Sequence, residues 1–245
     1  ALAQAVRMVE QGAAAIDIGG ESTRPGSLEI SVQQELDRVI PCLERLSGHI
    51  DVPMSIDTRR YEVAAAAVSH GVTIINDTSA LRDDPQLLEF VVEKNLDVVL
   101  MHRQGIPETM QDDPGYSDAV GEICGFFQSR LEGFVSAGGR HEQVILDPGI
   151  GFGKRLEDNF LIARSLNRFK ELGAPVMLGA SRKACTGALD GKPPADRLPG
   201  SLAFIAMAQQ GGADWVRVHD VDETVRFLAV LEAIQQTTAD LEART

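Results

Sequence analysis

Seven times along this chain a short apolar run ends in polar residues and gives way to a helical pattern. That repetition restricts the folds open to the sequence more than any other feature. The most informative instance is Ala14-Ala-Ile-Asp-Ile-Gly-Gly-Glu-Ser-Thr-Arg-Pro-Gly26. Its apolar start reads as a buried strand, and Gly19-Gly20 then lets the backbone turn sharply and approach a ligand closely. Asp17, Glu21, Ser22, Thr23 and Arg24 are left at or beyond the strand's C-terminal end. Arg24 beside Pro25 is a donor fork on a stiffened loop, suited to holding an anion.

The pattern predicts strands at 14–19, 52–56 (ending in Asp57-Thr58), 73–77, 96–102, 143–146, 176–178 and 215–220. Helices are predicted at 1–11, 31–46, 61–70, 85–93, 117–136, 158–171, 202–210 and 223–236. Strands alternating with helices imply βα units and a parallel sheet. No Pro/Ser linker or composition shift divides the chain, so residues 1–245 read as one domain. Seven strands and eight helices, opening on a helix, match a (β/α)8 TIM barrel without its first strand and first βα loop. A doubly wound sheet ranks second because it lacks such even repetition. The expectation is a longer product that opens on the absent strand and loop.

A chain of 245 residues, 44% hydrophobic, can fill such a core. Its net charge of −13, with no Lys/Arg-rich run, argues against nucleic acid or an anionic membrane as the main partner. A few local arginines still suffice to build a pocket for an anionic small molecule. The apolar runs fall well short of the roughly 18 residues that a membrane span needs. Cys42, Cys124 and Cys185 are odd in number and share no metal-like spacing, which reads as reduced thiols in the cytoplasm.

In a barrel the βα loops converge on one face. Asp17, Asp57, Asn76, His102, Asp147, Lys183, Arg217 and His219 would then meet around one mouth. Plainer readings stand beside this one. Asp57 and Asp77 are also placed to cap the helices that follow, and His102 reads best as a hydrogen-bonded strand-end residue. Gly149 to Gly153 lacks the spacing of a nucleotide phosphate loop. Capping alone is a poor account of seven strand ends that all finish in functional polar types.

Asp17-Ile-Gly-Gly-Glu-Ser-Thr-Arg-Pro-Gly26 resembles the signature of the dihydropteroate synthases, the sulfonamide targets of folate synthesis. Further segments keep the same order: Ser55-Ile-Asp57-Thr, Ile75-Asn76-Asp77, Met101-His102, Asp147-Pro-Gly-Ile-Gly-Phe152-Gly-Lys154, Ser181-Arg182-Lys183 and Arg217-Val-His219-Asp220. The resemblance implies a transferase forming a C–N bond. It would condense 6-hydroxymethyl-7,8-dihydropterin pyrophosphate with p-aminobenzoate, giving 7,8-dihydropteroate and pyrophosphate. It further implies a pterin set of Asp57, Asn76, Met101, Asp147, Gly179 and Lys183, and a pyrophosphate set of Arg24, Arg217 and His219. Thr23, Pro25, Phe152 and Lys183 would wall the p-aminobenzoate site, with Lys183, Asp57 and Arg217 as the catalytic residues. Mg²⁺ as cofactor and a homodimer come with the family.

The sequence departs from the family pattern in two places. The Asn-x-Thr-x-Asp-Ser-Phe motif that supplies the family's Mg²⁺-linked asparagine is absent from residues 1–245, so no metal ligand is assigned in this chain. Ala184 follows Lys183 where many members carry a serine that contacts the p-aminobenzoate carboxylate. Two rival readings share the pterin residues: a methyltetrahydrofolate-dependent methyltransferase domain, and a non-catalytic paralogue that binds pterin. Neither needs the anion residues Arg24, Arg217 and His219.

Overall fold

The computed structural model describes residues 1–22, 26–106 and 108–242, with side chains up to 237. Among the described residues seven strands follow one another in chain order: β1 Ile16–Gly19, β2 Met54–Asp57, β3 Val72–Asp77, β4 Asp97–Met101, β5 Val144–Asp147, β6 Met177–Leu178 and β7 Trp215–Val216. Every pairing is parallel. β1 to β5 form one sheet, β6 pairs with β7, and a parallel bridge from Leu146 to Val176 joins the two groups. The order β1 to β7 without a reversal is barrel order, and it rules out the doubly wound alternative, whose strand order reverses.

Nine α-helices are assigned among the described residues: α1 Leu2–Glu10, α2 Val32–Leu46, α3 Tyr61–Val68, α4 Pro85–Glu93, α5 Ala119–Ser136, α6 Leu156–Arg164, α7 Leu166–Lys170, α8 Leu198–Gln210 and α9 Val221–Glu242. The helix expected at 158–171 is two pieces because Ser165 leaves helical geometry at φ −112 and ψ 23. Caps fix several helix starts. Ser31 and Gln34 form a reciprocal capping box on α2, and Asp84 caps α4 ahead of Pro85.

Two apolar layers hold the structure. The larger lies between sheet and helices and includes Leu43, Ile56, Ile75, Leu100, Phe127, Leu146 and Phe169. The smaller fills the inside of the curved sheet with Ile74, Val99, Ile145 and Met177, against Ala15 and Trp215. Side chains in a strand alternate between faces, so a residue two positions on shares the inward face. The inner layer of Ala15, Ser55, Ile74, Val99, Ile145, Met177 and Trp215 therefore sits one step below Asp17, Asp57, Asn76, Met101, Asp147, Gly179 and Arg217. Seven strands lift seven sequence-predicted or mouth-forming positions onto one inner rim.

β1 and β7 share no ladder of hydrogen bonds among the described residues. Between them runs a cavity of about 760 Å³, lined by α1, β1, β7 and the start of α9 and continuous with the barrel interior.

Candidate active site

The rim residues are held by one another more than by the loops. Arg217, placed just after β7, reaches across to β1 and donates from Nε to Asp17 Oδ2 at 2.6 Å. Its Nη2 donates to Asp57 Oδ2 at 3.1 Å. Asn76 Nδ2 donates to the same Asp17 oxygen at 3.0 Å. Side chains from β1, β2 and β3 and from the end of β7 are thus tied into one cluster across the gap between the first and last strands. Register supports it: Asp57 lies beside Asn76, and Met101 beside Asp147.

Burial sets the electrostatics. Asp57 is raised to about 7, by burial first and then by the charge of Asp17, against the pull of Arg217. Burial also lifts Asp147, with Lys183 the largest opposing influence. Lys183 is pushed down to about 8 by burial, which Asp147 partly offsets and Arg217 adds to. Desolvation thus opposes charge on these three groups, the condition in which a polar ligand is read most strictly.

Asp147 and Lys183 are positioned by the glycine loop. Asp147 Oδ1 accepts from Gly149 N at 2.8 Å, and Lys183 Nζ donates to the Ile150 carbonyl at 2.6 Å. The ammonium of Lys183 lies 4.6 Å over the Phe152 ring, a cation–π contact. Phe152 packs on Met101 and Met110, so it is at once a loop-packing aromatic and a wall beside Lys183. Gly149 has φ +69, and a Cβ there would sit 2.0 Å from the His102 carbonyl oxygen. Only glycine fits so close an approach. The loop's N–H groups are turned inward, with Gly149 N on Asp147, Gly151 N on Asn159 Oδ1 and Phe152 N on the Gly149 carbonyl. It is a positioning loop, in keeping with its lack of phosphate-loop spacing.

Three sequence alternatives are resolved by the geometry. Asp57 caps nothing, since the residue preceding α3 is Arg60 and makes no side-chain cap. Asp77 shapes its own loop, accepting from Ser79 N, Ser79 Oγ and Leu81 N, while the cap on α4 is Asp84. His102 leaves the mouth. It stands one residue past the inward-facing Met101, is buried, and receives Lys154 Nζ on Nδ1 at 3.1 Å. Burial, then Lys154 and Arg82, push it down to about 2, a neutral imidazole that pins two loops.

Beyond β6 and β7, His219 Nδ1 lies 3.0 Å from Ser181 Oγ, and both residues line the cavity with Lys183, Gly179 and Arg217. The strand expected at 215–220 stops at Val216, which frees Arg217 to cross the mouth instead of continuing a ladder. Thr23, Arg24 and Pro25 lie outside the described residues.

Two further contributors stand out, Asp17, which the sequence placed at the mouth without a specific role, and Arg182, to which it gave none. Asp17 is the hub for Asn76 and Arg217, and its inward register on β1 was the available signal. Arg182, at φ +59, makes a two-pronged pair with Asp220 through Nε at 3.0 Å and through Nη2, tying the β6 loop to the β7 loop. Its place between Ser181 and Lys183 was visible, but its partner was not. Gly20 has a packing reason: a Cβ would fall 2.8 Å from Val39 and 2.9 Å from Glu35 on α2.

The family model for pterin binding enzymes matches residues 1–219. The chain belongs to the pterin-binding enzyme family. Within it, the chain is 42% identical to the dihydropteroate synthase of Synechocystis, over 96% of this chain and 81% of that one. The dihydropteroate synthase of Yersinia pestis, solved with a sulfonamide drug complex, superposes with a TM-score of 0.93 at 42% identity, covering 96% of this chain and 85% of that one. The Xanthomonas albilineans enzyme, solved with 4-aminobenzoic acid, gives a TM-score of 0.90 at 44% identity, covering 96% and 84%. The family's barrel is the fold described above. No helix among the described residues is long and apolar enough to cross a membrane.

Proposed function

We propose that this member of the pterin-binding family condenses 6-hydroxymethyl-7,8-dihydropterin pyrophosphate with p-aminobenzoate to give 7,8-dihydropteroate and pyrophosphate. The observation that carries this reading is the inward rim of Asp57, Asn76 and Asp147 beside Lys183, with Arg217 reaching over it. A pterin edge presents donors and acceptors together, and two carboxyls plus an amide in a buried pocket complement it. Met101 and Gly179 shape the wall. A side chain at Gly179 would begin 3.6 Å from Asp147 and 3.7 Å from Arg217, within the space a ring needs.

In the reaction the C–O bond to pyrophosphate breaks, the amine nitrogen of p-aminobenzoate forms the new C–N bond, and that nitrogen releases a proton. The protein orients both partners and stabilises departing negative charge. Arg217 and His219, with Arg24, take the pyrophosphate. Lys183, between Asp147 and the Phe152 ring, sits where the two substrates meet, with Thr23, Pro25 and Phe152 around the p-aminobenzoate. In the observed arrangement Arg217 is occupied by Asp17 and Asp57, so pyrophosphate binding would exchange carboxylate partners for phosphoryl oxygens.

The fold family implies Mg²⁺. Among the described residues no group of three or more His, Cys, Asp or Glu side chains could hold a metal ion, so this part of the chain builds no metal cage. In this reading Mg²⁺ would arrive with the pyrophosphate, as this ion commonly does. A homodimer completes the proposal. α8 packs between α6 and α9, and Phe160 on α6 and Val230 on α9 are exposed apolar side chains that a second copy could cover. The free thiols Cys42, Cys124 and Cys185 suit the cytoplasm.

Calorimetry with bare pterin, the pterin pyrophosphate and p-aminobenzoate tests the reading. A synthase binds the pyrophosphorylated pterin more tightly than the bare ring and then accepts p-aminobenzoate. Pterin binding with no response to pyrophosphate or p-aminobenzoate would favour the methyltransferase or non-catalytic reading.

A further inference from the structure

The ladder between the last two strands ends on a side chain. Trp215 N donates to the Val176 carbonyl at 3.1 Å, and Arg217 N donates to the Leu178 carbonyl at 3.0 Å. The next donor in this two-residue alternation is His219 N, whose counterpart would be the Ala180 carbonyl. That carbonyl is turned into its own loop, where it accepts from Lys183 N at 3.2 Å. His219 N donates instead to Ser181 Oγ at 3.2 Å. The loop that carries this hydroxyl is clamped at the next residue. Arg182 N donates to Ser201 Oγ on α8 at 3.0 Å, its carbonyl accepts from Arg197 Nη1 at 3.1 Å, and its guanidinium pairs with Asp220. Two adjacent residues of one loop, Ser181 and Arg182, thus lock onto two adjacent residues of the other, His219 and Asp220.

Counting donors and acceptors then fixes the ring. A serine hydroxyl has one hydrogen to give and accepts through its lone pairs. In Ser181 one lone pair takes the His219 N–H, and the residue is only 8% exposed. Among the described residues, the acceptor within reach of the hydroxyl hydrogen is His219 Nδ1, at 3.0 Å. A neutral imidazole holds one N–H, so a ring that accepts on Nδ1 carries its hydrogen on Nε2. With the opposite tautomer Oγ would accept twice, and its own hydrogen would lack an acceptor among these residues. A donor left unmade in a buried place makes that the costlier arrangement.

We propose that Ser181 is a positioning residue that fixes His219 in the Nε2–H tautomer, so that the ring meets the pyrophosphate as a donor. The consequence for the anion is one of sign. An Nε2–H attracts a phosphoryl oxygen, whereas a bare Nε2 would set a lone pair against it. Ser181 acts through the ring and not on the substrate. Its effect on binding rests on the reading of His219 as part of the pyrophosphate site; the tautomer does not.

Nitrogen NMR on the full chain with isotope-labelled histidine reads the tautomer without substrate, at about pH 8, where an ordinary imidazole is neutral. Loss of one set of ring signals in His219→Gln identifies this ring among the five histidines. The parent chain should show a protonated Nε2 and an unprotonated Nδ1 displaced by its hydrogen bond. In Ser181→Ala that displacement should vanish. Calorimetry on the same variant should show the pyrophosphorylated pterin bound about tenfold more weakly, with the affinity for bare pterin unchanged. A protonated Nδ1 in the parent chain overturns the proposal, and this reading stands even if Ser181→Ala does not fold. Identical His219 signals in parent and variant, or an equal loss of affinity for both pterins, would overturn it as well. Equal affinity of the parent chain for the two pterins would remove the pyrophosphate reading on its own, whatever the tautomer.

Discussion

Replacing Asp57 with asparagine separates the cost of its buried charge from its use. The side chain is buried beside Asp17 and Arg217, and its pKa moves from 3.8 to about 7. At ~1.4 kcal/mol for each pKa unit, that rise means that the ionised form weakens the fold by about 4 kcal/mol, Arg217 notwithstanding. The sign follows from the direction of the shift. Between roughly pH 4 and 7 the folded chain keeps a proton that the unfolded chain has released, so this contribution to stability falls as pH rises through that window. An asparagine in place of Asp57 cannot ionise, and the variant should lack that slope. Urea unfolding of both proteins at about pH 5 and about pH 8 should show the stability difference moving in favour of Asp57→Asn by about 2–3 kcal/mol at the higher pH. Titrations shared by both proteins cancel in that difference. The same variant should bind pterin more weakly, since one acceptor edge becomes a donor. A stability difference that stays constant across this pH range would refute the claim that burial and Asp17 outweigh Arg217 at this carboxyl.

Four other expectations are independent of it. Asp147→Asn keeps the volume but mismatches the pterin edge, and calorimetry should show a loss of pterin affinity of about 1–3 kcal/mol. Arg217→Ala should weaken binding of the pyrophosphorylated pterin much more than that of the bare ring, and added salt should reproduce part of the defect. Lys183 sits at about 8, so any binding step that needs its ammonium should fade as pH rises through about 8; a p-aminobenzoate titration series against pH would read this. Lys154, lowered to about 7 by burial, bonds His102 Nδ1 and the carbonyls of His102 and Phe152. Lys154→Met should leave those acceptors unpaired and lower the thermal midpoint, with a destabilisation of about 1–3 kcal/mol by denaturant melts.

Much of the barrel was legible because each element carried its own periodicity. The α2 face of Leu36, Val39, Leu43 and Leu46, and the apolar run ending in Asn76-Asp77, were enough to place helix and strand. The break at Ser165 was not legible, because Leu166 and Phe169 continue the apolar spacing across it. In the site, the two-residue alternation places Asp57, Asn76 and Asp147 inward from sequence alone, and the same alternation turns His102 away from Met101. What sequence does not carry is partnership at long range. Arg217 and Asp17 are 200 positions apart, and only the return of the barrel on itself makes them neighbours. Asp57 and Asp77 look equivalent as strand-end acids; burial beside Arg217 makes one a site residue, and the Ser79 turn makes the other a loop clamp.

The central claim is that this rim joins pterin to p-aminobenzoate, and formation of 7,8-dihydropteroate by the purified protein tests it most directly. With 6-hydroxymethyl-7,8-dihydropterin pyrophosphate, p-aminobenzoate and Mg²⁺ supplied, one pyrophosphate should be released for each dihydropteroate formed. Lys183→Ala and Arg217→Ala should each remove most of that rate while the proteins stay folded. Equal product formation by both variants and the parent chain would contradict the claim.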